Sequence, residues 1–232
     1  GSYFNLKNYK TGRELINQIL TTNANLSKYA EPKAVIGSFT THDEMSPILI
    51  NGTKYSEMII WLNATLPVNS YFVDGFDTGD NYIYLWANKS AFKSFTDDDY
   101  YFVHRGKIDI FNFSRQPGAK NDDLLGTFIL ANNVKRQFSK MINNGKFIPL
   151  KTSASPVFAY AISYGGKSVV VIGNLNFRNN VDVTVSVPKL EDKNIVIPVK
   201  LESIPIAQKG GFKVTLQPGE TQVLLLNDLE IK

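Results

Sequence analysis

The sequence predicts an α/β region followed by an all-β region, with the change of character near residue 145. Three observations carry this prediction. Two short apolar runs, 34–39 and 70–73, flank a helical stretch, as in a βαβ unit. A long helical pattern over 122–144 ends at Gly145. From Lys146 the hydrophobic period switches to two, with short runs recurring between turn residues.

Taken in order, Thr11 and Glu14 have the spacing of a capping box, and Leu15, Ile16, Ile19 and Leu20 form an apolar stripe behind them. After Pro32, the run Ala34-Val35-Ile36-Gly37-Ser38-Phe39 reads as a buried strand of a parallel sheet. A helix is expected from Lys54 to Thr65, with Tyr55, Met58, Ile59 and Leu62 on one face and Pro67 ending it. Ser70-Tyr71-Phe72-Val73 then reads as a second buried strand, stopped by Asp74-Gly75. Strand, helix and strand with short links require parallel pairing. Residues 76–120 hold Tyr82, Tyr84, Trp86, Phe92, Phe95, Tyr100, Tyr101 and Phe102. An aromatic-rich excursion of that length is more often functional or lid-like than a plain connection. The helix over 122–144 carries Leu125, Phe128, Ile129, Val134, Phe138 and Met141, with Gly145 at C′.

In the second region, 157–162 and 168–172 flank Tyr164-Gly165-Gly166-Lys167, a hairpin with the glycines a primed turn wants. Further strands are expected at 181–187, 195–201, 212–216 and 221–226, separated by Pro188, Gly210-Gly211 and Pro218-Gly219. Such spacing predicts an antiparallel β-sandwich over 146–232.

Composition narrows the function classes. The chain has 232 residues, 43% of them hydrophobic and 20% charged, enough for one large domain or two modest ones with a packed core. Lysine and arginine exceed acids by 25 to 21, a scattered +4 that gives no basic patch for nucleic acid. Without cysteine there are no disulfides, thiolate metal sites or cysteine nucleophile, a composition that suits a cytoplasmic or a secreted protein alike. No run of about 18 apolar residues exists to form a spanning helix.

The segment that suggests chemistry is Phe39-Thr40-Thr41-His42-Asp43-Glu44, directly after the first apolar run. Ionisable residues at the C-terminal end of a buried parallel strand stand where α/β barrels and open sheets hold their sites. On spacing alone that reading is even with a plainer one, in which His42 and Asp43 pair to cap the following helix. Other constellations point to structure. Asp97-Asp98-Asp99 lacks the glycine and distal Glu of a calcium loop and reads as a solvated turn. His104 reads as a structural hydrogen-bonder and Asp109 as a solvated strand residue. No metal site and no cofactor is identified.

Ser38-Phe39-Thr40-Thr41-His42-Asp43 resembles the fourth sequence region of the α-amylase superfamily (glycoside hydrolase family 13), with Thr41 where Asn is usual. Leu66-Pro67-Val68-Asn69-Ser70-Tyr71-Phe72-Val73-Asp74-Gly75 resembles the eighth barrel strand, with Val68 and Ser70 atypical. Leu124 to Gly145 resembles the last barrel helix. Pro156 to Tyr160 with Ser168 to Leu175, and Gly211 to Leu226 with its Gln217-Pro218-Gly219-Glu220 turn, resemble the opening and closing hairpins of the family's C-terminal sandwich. The resemblance spans nearly the whole chain apart from 76–120.

What the resemblance implies is a fold in two parts. Residues 1–145 would be about the last quarter of a (β/α)8 barrel, with an aromatic-rich excursion at 76–120, and residues 146–232 the sandwich. Retaining members of the family use two carboxylates that flank the glycosidic bond. By resemblance Asp43 is a third carboxylate that stabilises the transition state by hydrogen-bonding sugar hydroxyls, and His42 is a substrate-binding residue beside it. No segment resembles the nucleophile or the general-acid motif, so the chain alone is expected to be inactive. The implied partners are an α-glucan or maltooligosaccharide and the remainder of the barrel. Two strands taken from a closed barrel would expose edges. Packing on the sandwich, residues 76–120, or self-association of the barrel edges is therefore expected to cover them. The competing reading is a non-catalytic carbohydrate-binding or interaction module.

Overall fold

In a computed structural model, which describes residues 2–29, 34–41, 46–73, 75–79 and 124–232, three parallel strands open the chain. Strand β2 (Val35–Ser38) lies between β1 (Ser2–Tyr3) and β3 (Val68–Ser70). Gly37 is opposite Ser2 on one side and Ser70 on the other. Each strand pairs with its neighbour in sequence, which is the order of a barrel wall. The order of a doubly wound sheet would reverse. Expectation and structure differ here in two ways. The run 34–39 is not buried on both faces: Val35 is 4% exposed but Ile36 is 44% exposed, because helices cover one side only. The second strand also sits earlier than the expected 70–73. Phe72 leaves the sheet to pack on Phe76 (5.0 Å between ring centres) and Phe128 (4.8 Å).

Helix α1 (Gly12–Leu26) starts with the expected capping box. Thr11 Oγ1 accepts from the Glu14 N–H (3.2 Å), and Glu14 Oε2 accepts from the Thr11 and Lys10 N–H groups (3.0 and 2.7 Å). Leu15, Ile16 and Ile19 are buried, while Leu20 falls outside the stripe at 39% exposure. The helix begins with glycine because its first residue abuts the sandwich. A Cβ on Gly12 would stand 2.1 Å from the Val157 carbonyl oxygen.

Helix α2 (Pro47–Thr65) extends further towards its N-terminus than expected but is broken at Asn51 (φ −147°) and Gly52 (φ 71°), so the regular part matches the predicted stretch. It is buried nearly all round from Met58 to Leu66, which a single apolar stripe does not explain. The cause is its position between a helix layer and a sheet. The predicted helix 122–144 is two helices, α3 (Leu125–Gln137) and α4 (Ser139–Asn144), interrupted at Phe138; residues 122 and 123 lie outside the described set. Gly145 is not a left-handed cap. It is extended (φ −78°, ψ 158°), and glycine is needed because a Cβ would meet the Met141 carbonyl at 2.4 Å.

The rest of the chain is antiparallel. A five-stranded sheet has the order β4-β5-β6-β11-β8, and a three-stranded sheet the order β7-β10-β9. Their spans are β4 (Lys146–Pro149), β5 (Val157–Tyr164), β6 (Lys167–Asn174), β7 (Val181–Ser186), β8 (Val196–Lys200), β9 (Ile206–Gln208), β10 (Gly211–Leu216) and β11 (Thr221–Leu226). Gly165 (φ 61°) and Gly166 (φ 82°) form the predicted two-residue turn. Strands β1, β4 and β9 were not anticipated; all three are short.

The five-stranded sheet is the middle layer. One face carries Ala159, Ala161, Val170, Ile172, Leu224 and Leu226 against Val183, Val185, Phe212, Val214 and Leu216 of the smaller sheet. The opposite face carries Phe158, Tyr160, Ile162, Val169, Val171 and Val223 into a second core shared with Phe4, Leu15, Tyr55 and Trp61. The helices and parallel strands thus use the sandwich as their floor. A buried polar link crosses that floor between α2 and β5. Thr65 Oγ1 donates to the Trp61 carbonyl (2.6 Å), so the fully buried Tyr160 hydroxyl is the donor in its 2.6 Å bond to Thr65 Oγ1. Burial pushes the Tyr160 phenol well up, and it stays neutral.

Candidate functional site at the strand ends

The parallel strands run side by side, so the residues that leave their C-terminal ends share one edge of the sheet. Phe4 follows β1 and Phe39 follows β2. Their rings stack at 5.3 Å, and the Phe4 N–H donates to the Ser38 carbonyl (2.8 Å). Both rings are buried, so the two strand exits are fixed to each other by an apolar pair beneath the edge. Ser38 Oγ donates to the Thr40 carbonyl (3.2 Å), turning the chain immediately after the strand. Thr40 is 3% exposed, and its hydroxyl has no hydrogen-bond partner. A buried hydroxyl left unpaired costs about 1–3 kcal/mol. That cost falls one residue before the Thr41-His42-Asp43 segment. His42 and Asp43 themselves lie outside the described residues, as do Asp97-Asp98-Asp99, His104, Asp109 and the aromatics of 80–120.

The approach of helix α2 to β2 depends on Gly37. A Cβ there would stand 2.2 Å from Asn63 Oδ1 and 2.6 Å from Val68 Cγ2. The glycine lets the helix lie directly on the strand, which sets the height at which Phe39 and Thr40 emerge.

Lys135 of α3 has a role the sequence did not signal. Its ammonium donates to the Asn63 carbonyl (2.6 Å), the Val68 carbonyl (2.7 Å) and Ser70 Oγ (3.0 Å). It joins the end of α2 to β3 and holds the third parallel strand in place. A cation suits the C-terminal end of a helix, where carbonyls lack intrahelical partners. Burial pulls its pKa down to about 8. A single lysine in an amphipathic helix ordinarily reads as solvated, so only the packing reveals it.

A second polar cluster fixes the sandwich. The Glu220 carboxylate accepts from the Ser203 N–H (2.7 Å), Ser203 Oγ (2.6 Å), the Gln217 N–H (2.8 Å) and Gln222 Nε2 (2.9 Å). Burial alone would raise this carboxyl, but the hydrogen bonds outweigh it and hold it below the usual carboxylate range. Buried Asn174 donates to the Gln217 and Asn179 carbonyls and accepts from the Asn176 N–H. Both clusters are structural: the Glu220 and Asn174 side chains spend these bonds on closing loops. Among the described residues no three His, Asp or Glu side chains gather as a metal site would need, and no helix is long and apolar enough to cross a membrane.

No protein-family model matches the chain. No curated protein matches it by sequence. Solved structures do match by fold. An α-amylase from Geobacillus thermoleovorans, complexed with acarbose, superposes with a TM-score of 0.63 at 12% identity, covering 92% of this chain and 43% of that one. A debranching enzyme from Nostoc punctiforme, soaked with acarbose, gives 0.57 at 12% identity, covering 92% and 38%. A mutant isomaltulose synthase from Erwinia rhapontici, in complex with its natural substrate sucrose, gives 0.62 at 14% identity, covering 94% and 46%. The chain therefore has a fold found within α-amylase-type enzymes and spans less than half the length of each of these three.

Proposed function

We propose that this chain is the C-terminal part of an α-glucan-acting glycoside hydrolase or transglycosylase of the α-amylase superfamily. The observation that carries the reading is the fold shared with such enzymes over 92% or more of the chain in each of the three comparisons. The parallel strand β2 in turn runs directly into the Phe39-to-Asp43 motif. In this reading residues 1–145 are the end of a catalytic barrel and 146–232 its β-sandwich. Asp43, which follows β2 in the sequence, accepts hydrogen bonds from sugar hydroxyls and stabilises the flattened, positively charged ring of the transition state. His42 contacts the same hydroxyls. The nucleophile and the general acid come from earlier barrel units.

Saccharides are the substrate class because neighbours of the same fold were solved with acarbose and with sucrose. The three-stranded sheet, with Ile36 exposed on the face away from the helices, supports a partner that completes the wall. That partner is the remainder of the barrel.

The test is reducing-sugar release from maltooligosaccharides by this chain alone. None is expected. Turnover by the isolated chain that Asp43→Asn abolishes would show that it carries a complete site, and would overturn the assignment of the other two carboxylates to missing units.

A further inference from the structure

A cavity of about 300 Å³ opens between the segment after β1, the broken start of α2 and the loop between β6 and β7. It shares no residue with the Phe39-to-Asp43 motif. Its apolar walls include Tyr9, Tyr55 and Phe177, and its charged residues are Lys7, Lys10 and Arg178, with no carboxylate among the lining side chains. Asn51, at the break in α2, and Asn176 add amides.

The walls are fixed. Phe177 packs on Tyr55 at 5.2 Å, and a Cβ on Gly219 would stand 2.5 Å from its ring, so that turn closes directly over it. Asn176 Oδ1 accepts from the Arg178 and Asn179 N–H groups (2.9 and 3.0 Å), which locks the loop and leaves the amide N–H₂ for other use. Tyr9 is half-buried, and burial raises its phenol, keeping that ring neutral. Among the described residues the nearby acids have partners of their own. Glu14 accepts from the Lys10 and Thr11 N–H groups, and Glu57 and Glu202 pair with Lys54. Among the described residues the Arg178 guanidinium makes no ion pair.

We infer that this cavity binds a small phosphate monoester carried on a single ring, such as a phosphorylated sugar. Lys10 and Arg178 line a space that no carboxylate lines, which favours an anion, and guanidinium matches phosphate oxygens with paired N–H donors. Aromatic walls favour a flat or ring-shaped body over a bare ion. A volume at the low end of the range for ligand pockets suits a single ring.

Isothermal titration at low ionic strength tests this with glucose 6-phosphate, glucose and inorganic phosphate as probes. Glucose 6-phosphate is expected to bind at least ~10-fold more tightly than either of the others, because only it uses both the cations and the aromatic walls. The Lys10→Ala/Arg178→Ala double variant alters two exposed side chains. It should keep its thermal midpoint and lose at least ~10-fold in affinity. Equal binding of glucose and glucose 6-phosphate would overturn the anion assignment. Inorganic phosphate matching the sugar phosphate would overturn the ring. No measurable binding of glucose 6-phosphate, or a double variant that binds like the parent, would overturn the site itself. None of these results depends on Asp43 or on glucan turnover.

Discussion

Tyr160→Phe removes one hydroxyl from the layer that joins the helices to the sandwich, and its cost can be worked from the contacts. The hydroxyl donates to Thr65 Oγ1 at 2.6 Å, while Thr65 keeps its own bond to the Trp61 carbonyl. The ring stays in place between Phe147 (5.1 Å) and Phe158 (6.3 Å). The loss is therefore one neutral buried hydrogen bond, about 1 kcal/mol, with no cavity term. For a chain of this size that lowers the thermal midpoint by about 2–4 °C. Urea unfolding should be followed by far-UV circular dichroism and by tryptophan fluorescence, since Trp61 is fully buried in α2. Both probes should report one transition, displaced to lower urea with an unchanged slope. Two separated transitions, or a midpoint unmoved by the substitution, would refute the argument that α2 and the five-stranded sheet share a core.

Three further outcomes follow from the same packing. Gly173→Val places a side chain where Phe158, its cross-strand partner, has ring atoms 2.2 Å from the added Cβ; a loss of about 1–3 kcal/mol is expected from chemical denaturation. Lys135 has a folded pKa near 8 against 10.5 for the free side chain, so the unfolded chain binds more protons between those values. Its contribution therefore makes stability rise with pH across that window, and the Lys135→Met variant should lack this slope in denaturation curves taken from pH 8 to 10.5. Glu220 is held below its ordinary value, so its stabilisation is present above the unfolded value of about 4.3 and is lost as pH falls through the folded one. Glu220→Gln turns one acceptor oxygen into a donor facing N–H groups. It should cost about 2–3 kcal/mol at pH 7 and flatten the acid limb of the stability profile.

Much of the fold was legible because its signals are local. The capping box at Thr11 and Glu14, the Gly165-Gly166 turn and the six longer antiparallel strands follow from residue spacing alone. What the sequence did not reveal depends on neighbours distant in the chain. Gly145 read as the C′ cap of the helix, where a left-handed glycine is usual, yet its backbone is extended and a Cβ there would meet Met141 and Ile162. Tyr71-Phe72-Val73 read as strand, but Phe72 lies beyond the ladder and packs on the Phe76 and Phe128 rings. Tyr55, Met58, Ile59 and Leu62 read as one apolar face, whereas Met58 to Leu66 are buried on every side, because α2 lies between α3 and the sandwich.

The candidate site was legible only in part. Phe39 and Thr40 follow β2 directly while His42 and Asp43 lie outside the described residues, and the anchoring role of Lys135 leaves no trace in residue patterns. Asn174 and Glu220, which drew notice as parts of hairpin motifs, are hydrogen-bond hubs that shape the sandwich.

The central claim is that Asp43 stabilises a glycosyl transition state assembled with carboxylates from earlier barrel units. Its most direct test is kcat for maltooligosaccharide hydrolysis by the polypeptide that joins those units to this chain, wild type against Asp43→Asn. The account predicts a fall of about 10²–10³-fold or more, the size expected when a group aimed at developing transition-state charge is removed, with an unchanged unfolding midpoint. An Asp43→Asn enzyme with undiminished kcat would contradict it.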